Sequence, residues 1–150
     1  MSHSLISFIA NYALFISIIV ALFVFLSLDN RAKRLQFVIW GLAGAVVLIL
    51  LARLGSWLYY NPRPFVVGHF TPYFPHPNNN GFPSDHTLFT SYLAFFVLKY
   101  NRRLGIVLLV VAAAIGLARV IAGVHHLVDI IAAFALSGIT VFAMEYCQKI

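Results

Sequence analysis

Long apolar runs constrain this chain more than any other feature of its sequence. About 20 apolar residues let a helix cross the ~30 Å hydrocarbon core of a bilayer. Soluble domains carry about 25% charged residues, whereas 9% of these 150 residues are charged and 62% are hydrophobic. The sequence therefore predicts an all-α integral membrane bundle, one domain over residues 1–150, of about five transmembrane helices at about 5–28, 35–60, 84–100, 104–122 and 125–146.

The charge pattern indicates membrane topology and excludes nucleic acid as a partner. A nucleic-acid-binding protein shows a basic stripe on a polar surface, but the basic residues behind the formal net charge of +6 are scattered between apolar runs. Lysine and arginine in short loops mark the cytoplasmic side. The basic loops at 29–34 and 99–103 fall on one side if five helices alternate. We expect the N-terminus outside and the C-terminus in the cytoplasm.

Three arginines oppose this trend, because Arg53, Arg63 and Arg119 fall towards the outer side. An arginine at mid-membrane costs at least ~2.5 to 3.5 kcal/mol, so such residues usually face a polar cavity and carry function. The pattern therefore predicts an anion-binding site at the outer face.

A long polar loop, at 61–83, separates the second and third predicted helices. It contains all six prolines of the chain and an Asn-Gly pair, which favour irregular structure. At its end Ser84 is predicted to cap the third helix, with Asp85 and His86 in the first turn. Free amides at a helix start bind anions.

The stretch from Arg119 to Asp129 carries the chemistry. Gly123 predicts a break between a helix that ends near Arg119 and a helix that begins near His125. Residues four apart on a helix share a face, so Asp129 is expected to bind and orient the imidazole of His125. Arginines bind phosphate oxygens two at a time. With His86 nearby, one histidine can attack phosphorus while the other protonates the departing oxygen.

These stretches resemble the signature of the type-2 phosphatidic-acid phosphatase superfamily, K-x6-R-P, then P-S-G-H, then S-R-x5-H-x3-D. The third block matches at Arg119, His125 and Asp129, and the second matches at residues 83–86 with Asp85 in place of glycine. In the first block Arg63 and Pro64 match.

The chain departs from that signature at two further positions. Ser56 stands where the family has lysine, and Ala118 stands where it has serine. Arg53, one helical turn before Ser56, is predicted to supply the missing cation. Asp85 in the second block, Ala118 in the third, the short chain and the ending Arg63-Pro64-Phe65 of the first block make the chain similar to the bacitracin-resistance type of undecaprenyl-diphosphate phosphatase.

The resemblance implies removal of phosphate from a lipid at the outer face of a bacterial plasma membrane, without metal or other cofactor. It implies His125 as the nucleophile, oriented by Asp129, and His86 as general acid and then general base. Arg63, Arg119 and the Ser84 hydroxyl would hold the phosphoryl oxygens. Asp85 would either line the site or interact only with the helix dipole. Undecaprenyl diphosphate is the favoured substrate, with membrane lipids as surroundings, and the oligomeric state stays open.

Several alternatives remain at this point. Phosphatidic acid or phosphatidylglycerol phosphate would satisfy the same headgroup chemistry. His86, His125, His126 and Asp129 are potential metal ligands, although the nearby arginines favour an anion. A transporter would need charges near mid-membrane on several helices. His126 is a second candidate nucleophile, and the loop residues His69 and His76 are expected to be solvent-exposed.

Overall fold

The computed structural model describes residues 3–149 and confirms the all-α prediction for that part of the chain. Predicted and observed helix ends differ by about one helical turn or less. One short helix, within the long loop, was not predicted. The helices are α1 (His3–Tyr12), α2 (Leu14–Ser27), α3 (Arg31–Leu58), α4 (Pro64–Val67), α5 (Asp85–Leu98), α6 (Arg102–Ile121) and α7 (Leu127–Lys149).

Four helical segments among the described residues are long and apolar enough to cross a membrane, the first made by α1 and α2 together. Two of the others begin at matching asparagine caps after a short loop. The side chain of Asn30 accepts from Lys33 N at 2.8 Å, and that of Asn101 accepts from Leu104 N at 3.1 Å. Asparagine satisfies a free amide of the first turn in this way. These caps explain why α3 and α6 begin within the two stretches predicted as basic loops, at Arg31 and Arg102.

The first predicted helix is interrupted at Ala13. The carbonyl of Ala10, which in a continuous helix would accept from Leu14 N, accepts instead from Arg119 Nη1 at 3.0 Å. A side chain that enters the i to i−4 ladder kinks a helix. The division into α1 and α2 is therefore explained by an arginine distant in sequence, and the apolar pattern carries no sign of it.

Helix α5 is the central element of the bundle, packed against α6 and α7. One wall of α5 is polar yet buried, because Ser91 Oγ donates to Ser137 Oγ at 2.9 Å and Ser137 Oγ donates to Leu88 O at 2.8 Å. With 14 residues, α5 is shorter than the predicted third helix and is not among the four segments long enough to span. Its neighbours, rather than lipid, surround most of it, so its length need not match the bilayer.

The loop between α3 and α5 is irregular, as predicted, and folds onto the turn between α6 and α7. Phe65 N donates to Gly123 O at 3.1 Å and Tyr73 N donates to Ala122 O at 3.2 Å. Gly123 has φ +78°, where a Cβ would collide with the Phe70 ring. This position requires glycine, and the close contact places the loop directly over the residues that follow α6.

Candidate active site

The buried pair of His125 and Asp129 forms the centre of the site. His125 Nδ1 lies 3.3 Å from Asp129 Oδ2, and both side chains are buried. The prediction that both residues lie on one helix was wrong for His125, because α7 begins at Leu127. His125 lies instead in the turn before α7, while Asp129 is in the first helical turn. The i to i+4 contact forms across the start of the helix.

Asp129 also fixes the start of α7. Its Oδ2 accepts from His126 N at 2.8 Å, as the acidic residue of a capping box does. Its Oδ1 accepts from Asn61 Nδ2 at 2.7 Å. Gly81 packs so closely that a Cβ there would lie 3.2 Å from Oδ2. The carboxylate is thus fully bonded, and its orientation towards His125 is fixed by three separate parts of the chain.

Arg63 determines the tautomer of His125. Arg63 Nη1 lies 3.2 Å from His125 Nε2, and a guanidinium can only donate. Nε2 therefore accepts, and the ring proton is on Nδ1, which donates to Asp129. Burial lowers the pKa of His125, with the charges of Arg119 and Arg63 acting in the same direction and Asp129 opposing them. The geometry and the charges both favour a neutral imidazole with its lone pair on Nε2.

The guanidinium of Arg63 has a partner for each of its five N–H groups. Besides His125, Nη1 donates to Val124 O at 2.8 Å. Nε and Nη2 both donate to Asn79 Oδ1, at 3.1 and 3.0 Å, and Nη2 also donates to Asn80 O at 3.4 Å. Burial lowers the pKa of Arg63, and the charges of Asp129 and Asp85 oppose this shift. A phosphate can bind here only by replacing some of these partners.

Arg119, in the last turn of α6, is buried and lies beside His76. Its Nη2 is 3.0 Å from His76 Nε2, and its Nε is buried without a hydrogen-bond partner among the described residues. The predicted solvent exposure was therefore wrong for His76, whereas His69 is exposed. Burial and the charge of Arg63 lower the pKa of His76 to about 4. His76 is thus a neutral acceptor for Arg119, which forms no ion pair within residues 3–149.

His86 lies in the first turn of α5 and is half-buried. Arg119, His125 and His76 are close enough to act on its imidazole electrostatically. No hydrogen bond engages this ring within residues 3–149. The imidazole is therefore free to exchange a proton with a group bound between it and His125.

Ser84 and His126 are fixed by local contacts. Ser84 is the N-cap residue of α5, as predicted, but its hydroxyl makes no capping bond and lies 3.2 Å from Thr87 Oγ1. His126 Nε2 lies 3.1 Å from Pro62 O. Because this contact engages the ring nitrogen, His126 fits a supporting position better than that of a nucleophile.

A polar cavity of about 450 Å³ adjoins Arg63. Asp85, Arg53 and Ser56 line it, together with Asn79 and Asn80. The Ser56 hydroxyl accepts from Asn80 Nδ2 at 3.0 Å. The structure thus places the predicted residues Arg53, Asp85 and Arg63 around one space.

An apolar groove of about 590 Å³ lies near this cavity. Side chains of α2, α3 and α5 line it, and Phe89 lines both spaces. Its surface is almost entirely hydrocarbon, among others from Leu14, Ile18, Leu22, Phe37 and Leu42.

Sequence reasoning missed four residues of this site. Each of them forms a hydrogen bond with a residue at a position of the family signature: Asn61 with Asp129, His76 with Arg119, Asn79 with Arg63 and Asn80 with Ser56. The available signal is the density of polar side chains in the loop between α3 and α5. By itself the asparagine run predicts only a turn.

A comparison with known families decides how this geometry is classified. Residues 38–149 match the PAP2 superfamily. The chain belongs to the PAP2 superfamily. This membership confirms the predicted enzyme class, a hydrolase that removes phosphate from lipid phosphates.

Two curated relatives and one solved structure are similar over most of the chain. The Undecaprenyl-diphosphatase BcrC of Bacillus subtilis (strain 168) is 30% identical over 136 residues, which cover 89% of this chain and 68% of that protein. The Bacitracin transport permease protein BcrC of Bacillus licheniformis is 32% identical over 113 residues, 75% of this chain and 55% of that protein.

The crystal structure of a transmembrane PAP2 type phosphatidylglycerolphosphate phosphatase from Bacillus subtilis has a TM-score of 0.66 and 21% identity, over 98% of this chain and 76% of that one. At this identity the likeness shows the fold alone. It supports a multi-pass membrane protein.

Proposed function

We propose that this protein hydrolyses undecaprenyl diphosphate to undecaprenyl phosphate and inorganic phosphate at the outer face of the bacterial plasma membrane, which recycles the carrier lipid for cell-wall synthesis and confers bacitracin resistance. The observation that carries the reaction type is the chain of contacts from Asp129 through His125 to Arg63. These contacts keep the imidazole of His125 neutral and place its Nε2 lone pair against the guanidinium of Arg63, a cation that can bind phosphate. The similarity to the Undecaprenyl-diphosphatase BcrC of Bacillus subtilis supports this substrate.

The reaction proceeds in two steps. His125 Nε2 attacks the distal phosphorus, the bond from that phosphorus to the bridging oxygen breaks, and its electron pair stays on the departing lipid phosphate. His86 donates a proton to that oxygen as general acid. His86 then takes a proton from water, which attacks the phosphohistidine and releases inorganic phosphate and neutral His125.

The arginines stabilise the charge that develops on the transferred group. Arg63 and Arg119 offer planar sets of donors, and the amides at the start of α5, which the Ser84 side chain does not cap, are further donors for an anion. The Arg119 Nε, buried without a partner, is a donor that an oxygen of the substrate would satisfy. The Ser84 hydroxyl joins them by turning from Thr87. Arg53 is the cation of the adjoining polar cavity, since Ser56 is uncharged, and Asp85 lines the same cavity.

The apolar groove supports a lipid substrate. Phe89 separates it from the polar cavity, so a headgroup at Arg63 can continue into a tail beside α2 and α3. The 14 residues of α5 rise about 21 Å, less than the ~30 Å hydrocarbon core. Because α5 ends near the basic loop that we assign to the cytoplasm, its other end lies within the outer leaflet, where lipid headgroups approach laterally.

A transport function has one observation in its favour, the similarity to the Bacitracin transport permease protein BcrC of Bacillus licheniformis. Transporters place polar sites near mid-membrane on several helices. Here the buried charged side chains of the described residues, Arg63, Arg119 and Asp129, gather at one end of the bundle. Phosphatidic acid and phosphatidylglycerol phosphate remain the other lipid candidates.

Phosphate release from purified protein in detergent tests the proposal. Wild type and His125→Ala would be compared on undecaprenyl diphosphate, phosphatidic acid and phosphatidylglycerol phosphate, with and without a chelator. His69→Ala is the matched control, because His69 is an exposed histidine of the loop between α3 and α5. We expect chelator-resistant release, fastest from undecaprenyl diphosphate, that His125→Ala abolishes. Release that requires a metal, or that survives in His125→Ala, would contradict the mechanism, and a faster rate on another lipid would contradict the substrate.

A further inference from the structure

Arg53 is an arginine without a partner inside a membrane-spanning helix. It lies in α3, and within residues 3–149 its guanidinium has neither an ion pair nor a hydrogen bond. Ionisable residues in such a position are costly unless they meet an opposite charge or water. The guanidinium lines the polar cavity, so an anionic ligand in that cavity would supply the missing partner.

The walls of the cavity give it a direction. On α3 the lining residues run from Ser56 through Arg53 to Ile49, each about one turn deeper. On α5 they run from Asp85 to Phe89, which also lines the apolar groove. Both walls change from polar to apolar in the same direction. Arg53 therefore lies between the phosphate-binding end at Arg63 and the tail groove.

Ser56 cannot replace Arg53 as the cation of this wall. The Ser56 hydroxyl is short, uncharged and bonded to Asn80 Nδ2. The cation of this wall is thus one helical turn nearer to the apolar groove than the lysine position of the family signature. A phosphate next to His125 is bound by Arg63 and Arg119, whereas a cation displaced towards the tail meets the next group of the substrate.

We propose that Arg53 binds the tail-proximal phosphate of a lipid diphosphate and so selects diphosphates over lipid monophosphates. This inference rests on the proposed function. When the bond between the distal phosphorus and the bridging oxygen breaks, the electron pair moves onto the proximal phosphate, which leaves with the lipid. Arg53 stabilises that added charge, so its contribution is largest in the transition state. A monophosphate has no group at this position.

The test compares two substrates with the same tail, farnesyl diphosphate and farnesyl monophosphate, in detergent. Arg53→Gln removes the charge, Arg53→Lys keeps it, and Arg31→Gln is the matched control at the opposite end of α3, where the side chain is exposed. We expect Arg53→Gln to lower kcat/KM for the diphosphate by about 10 to 100-fold, the range of a hydrogen bond to a charged group. The monophosphate value should stay within about threefold of wild type, and Arg53→Lys should lose less on the diphosphate.

The other outcomes would contradict the role of Arg53 alone or the proposed function as well. Equal losses on both substrates would show that Arg53 acts on the transferred phosphoryl group, in the role of the family lysine, and would overturn the inference. Unchanged rates on both would overturn it as well. If the wild type hydrolyses the monophosphate but no diphosphate, the proposed function fails too. A wild type active on diphosphate with an unselective Arg53→Gln variant leaves that function intact and refutes only the role of Arg53.

Discussion

Arg63 Nη1 lies 3.2 Å from His125 Nε2, so a cation covers the lone pair that is to attack phosphorus. The contact has two consequences. It selects the tautomer in which Nδ1 donates to Asp129, and it satisfies both groups while no phosphate is bound. In the proposed reaction a phosphoryl group enters between them, and the guanidinium would transfer its hydrogen bond from the nucleophile to a phosphoryl oxygen. The same group would therefore hold the nucleophile ready and then bind its target.

Asp129→Asn tests the selection of the tautomer. The amide of asparagine can donate to Nδ1, which would place the proton on Nε2 and remove the attacking lone pair. We expect kcat to fall by about 10³-fold or more, by analogy with the buried aspartate of hydrolytic triads. Phosphate release measures it, with Asp29→Asn as the control because Asp29 is exposed beside Lys33. A loss of less than about tenfold would mean that Arg63 alone selects the tautomer.

The pH dependence of kcat/KM tests the charge state of His125. Burial and the nearby arginines lower the pKa of His125, so the neutral ring persists below the ordinary value of about 6.5. As pH falls through this lowered pKa, both nitrogens become donors and the nucleophile is lost. We expect the acidic limb of a bell-shaped profile to lie below pH ~6.5. An acidic limb at higher pH would show that Asp129 raises the pKa of His125 by more than burial lowers it.

Asn79→Ala tests whether the loop competes with phosphate. Asn79 Oδ1 accepts from both Nε and Nη2 of Arg63, the pair of donors with which arginine binds a phosphate oxygen. In the variant this oxygen is absent, so a phosphate that binds Arg63 displaces one hydrogen-bond partner fewer. We expect the inhibition constant of inorganic phosphate to fall several-fold, with Asn78→Ala, at an exposed neighbour, unchanged. A higher inhibition constant would show that Asn79 positions Arg63 instead.

Much of the fold and part of the site follow from the sequence, because they depend on local patterns. Apolar length predicts the spanning helices, and the spacing of Arg119, Gly123, His125 and Asp129 predicts a helix end, a break and a histidine–carboxylate contact. The family signature predicts Arg63 and Asp85, which line one cavity, and it predicts His125 and Asp129, which form one buried pair.

The missed features depend on contacts between segments distant in sequence. Arg119 reaches back across the bundle to Ala10 O and interrupts the first helix. His76 is partly buried because the loop folds over the α6–α7 turn, which the prolines alone do not indicate. Asn61 and Asn79 matter only because their partners, Asp129 and Arg63, lie beside them in space.

Cys147 offers a direct test of membrane orientation, because it is the only cysteine and is exposed. We expect a membrane-impermeant maleimide to leave it unlabelled in intact cells and to label it after permeabilisation, since the C-terminus is predicted to be cytoplasmic. His69→Cys in a Cys147→Ser background should show the reverse, because His69 lies in the loop at the opposite end. Labelling of Cys147 in intact cells would invert the topology.

Gly116 links helix packing to the site. A Cβ at Gly116 would lie 2.5 Å from Ile130 Cγ2, so alanine must displace either this side chain, which is β-branched and stiff, or α7, which carries it. We expect Gly116→Ala to destabilise the protein by about 1 to 3 kcal/mol, as overpacked cores do. Thermal unfolding in detergent measures this. Gly138→Ala is the matched control in α7, because its nearest neighbours, carbons of Phe95, would lie at 3.6 Å.

The same substitution should lower activity at temperatures where the variant is still folded. Gly116 precedes Arg119 by about one helical turn, and Ile130 directly follows Asp129. A shift of α6 against α7 therefore moves Arg119 relative to the His125–Asp129 pair, and misplacement by about 1 Å can cost about 10²-fold in rate. We expect kcat to fall in Gly116→Ala and to hold in Gly138→Ala. A lower melting temperature with unchanged kcat would show that the loop contacts of Arg119, rather than helix packing, position its guanidinium.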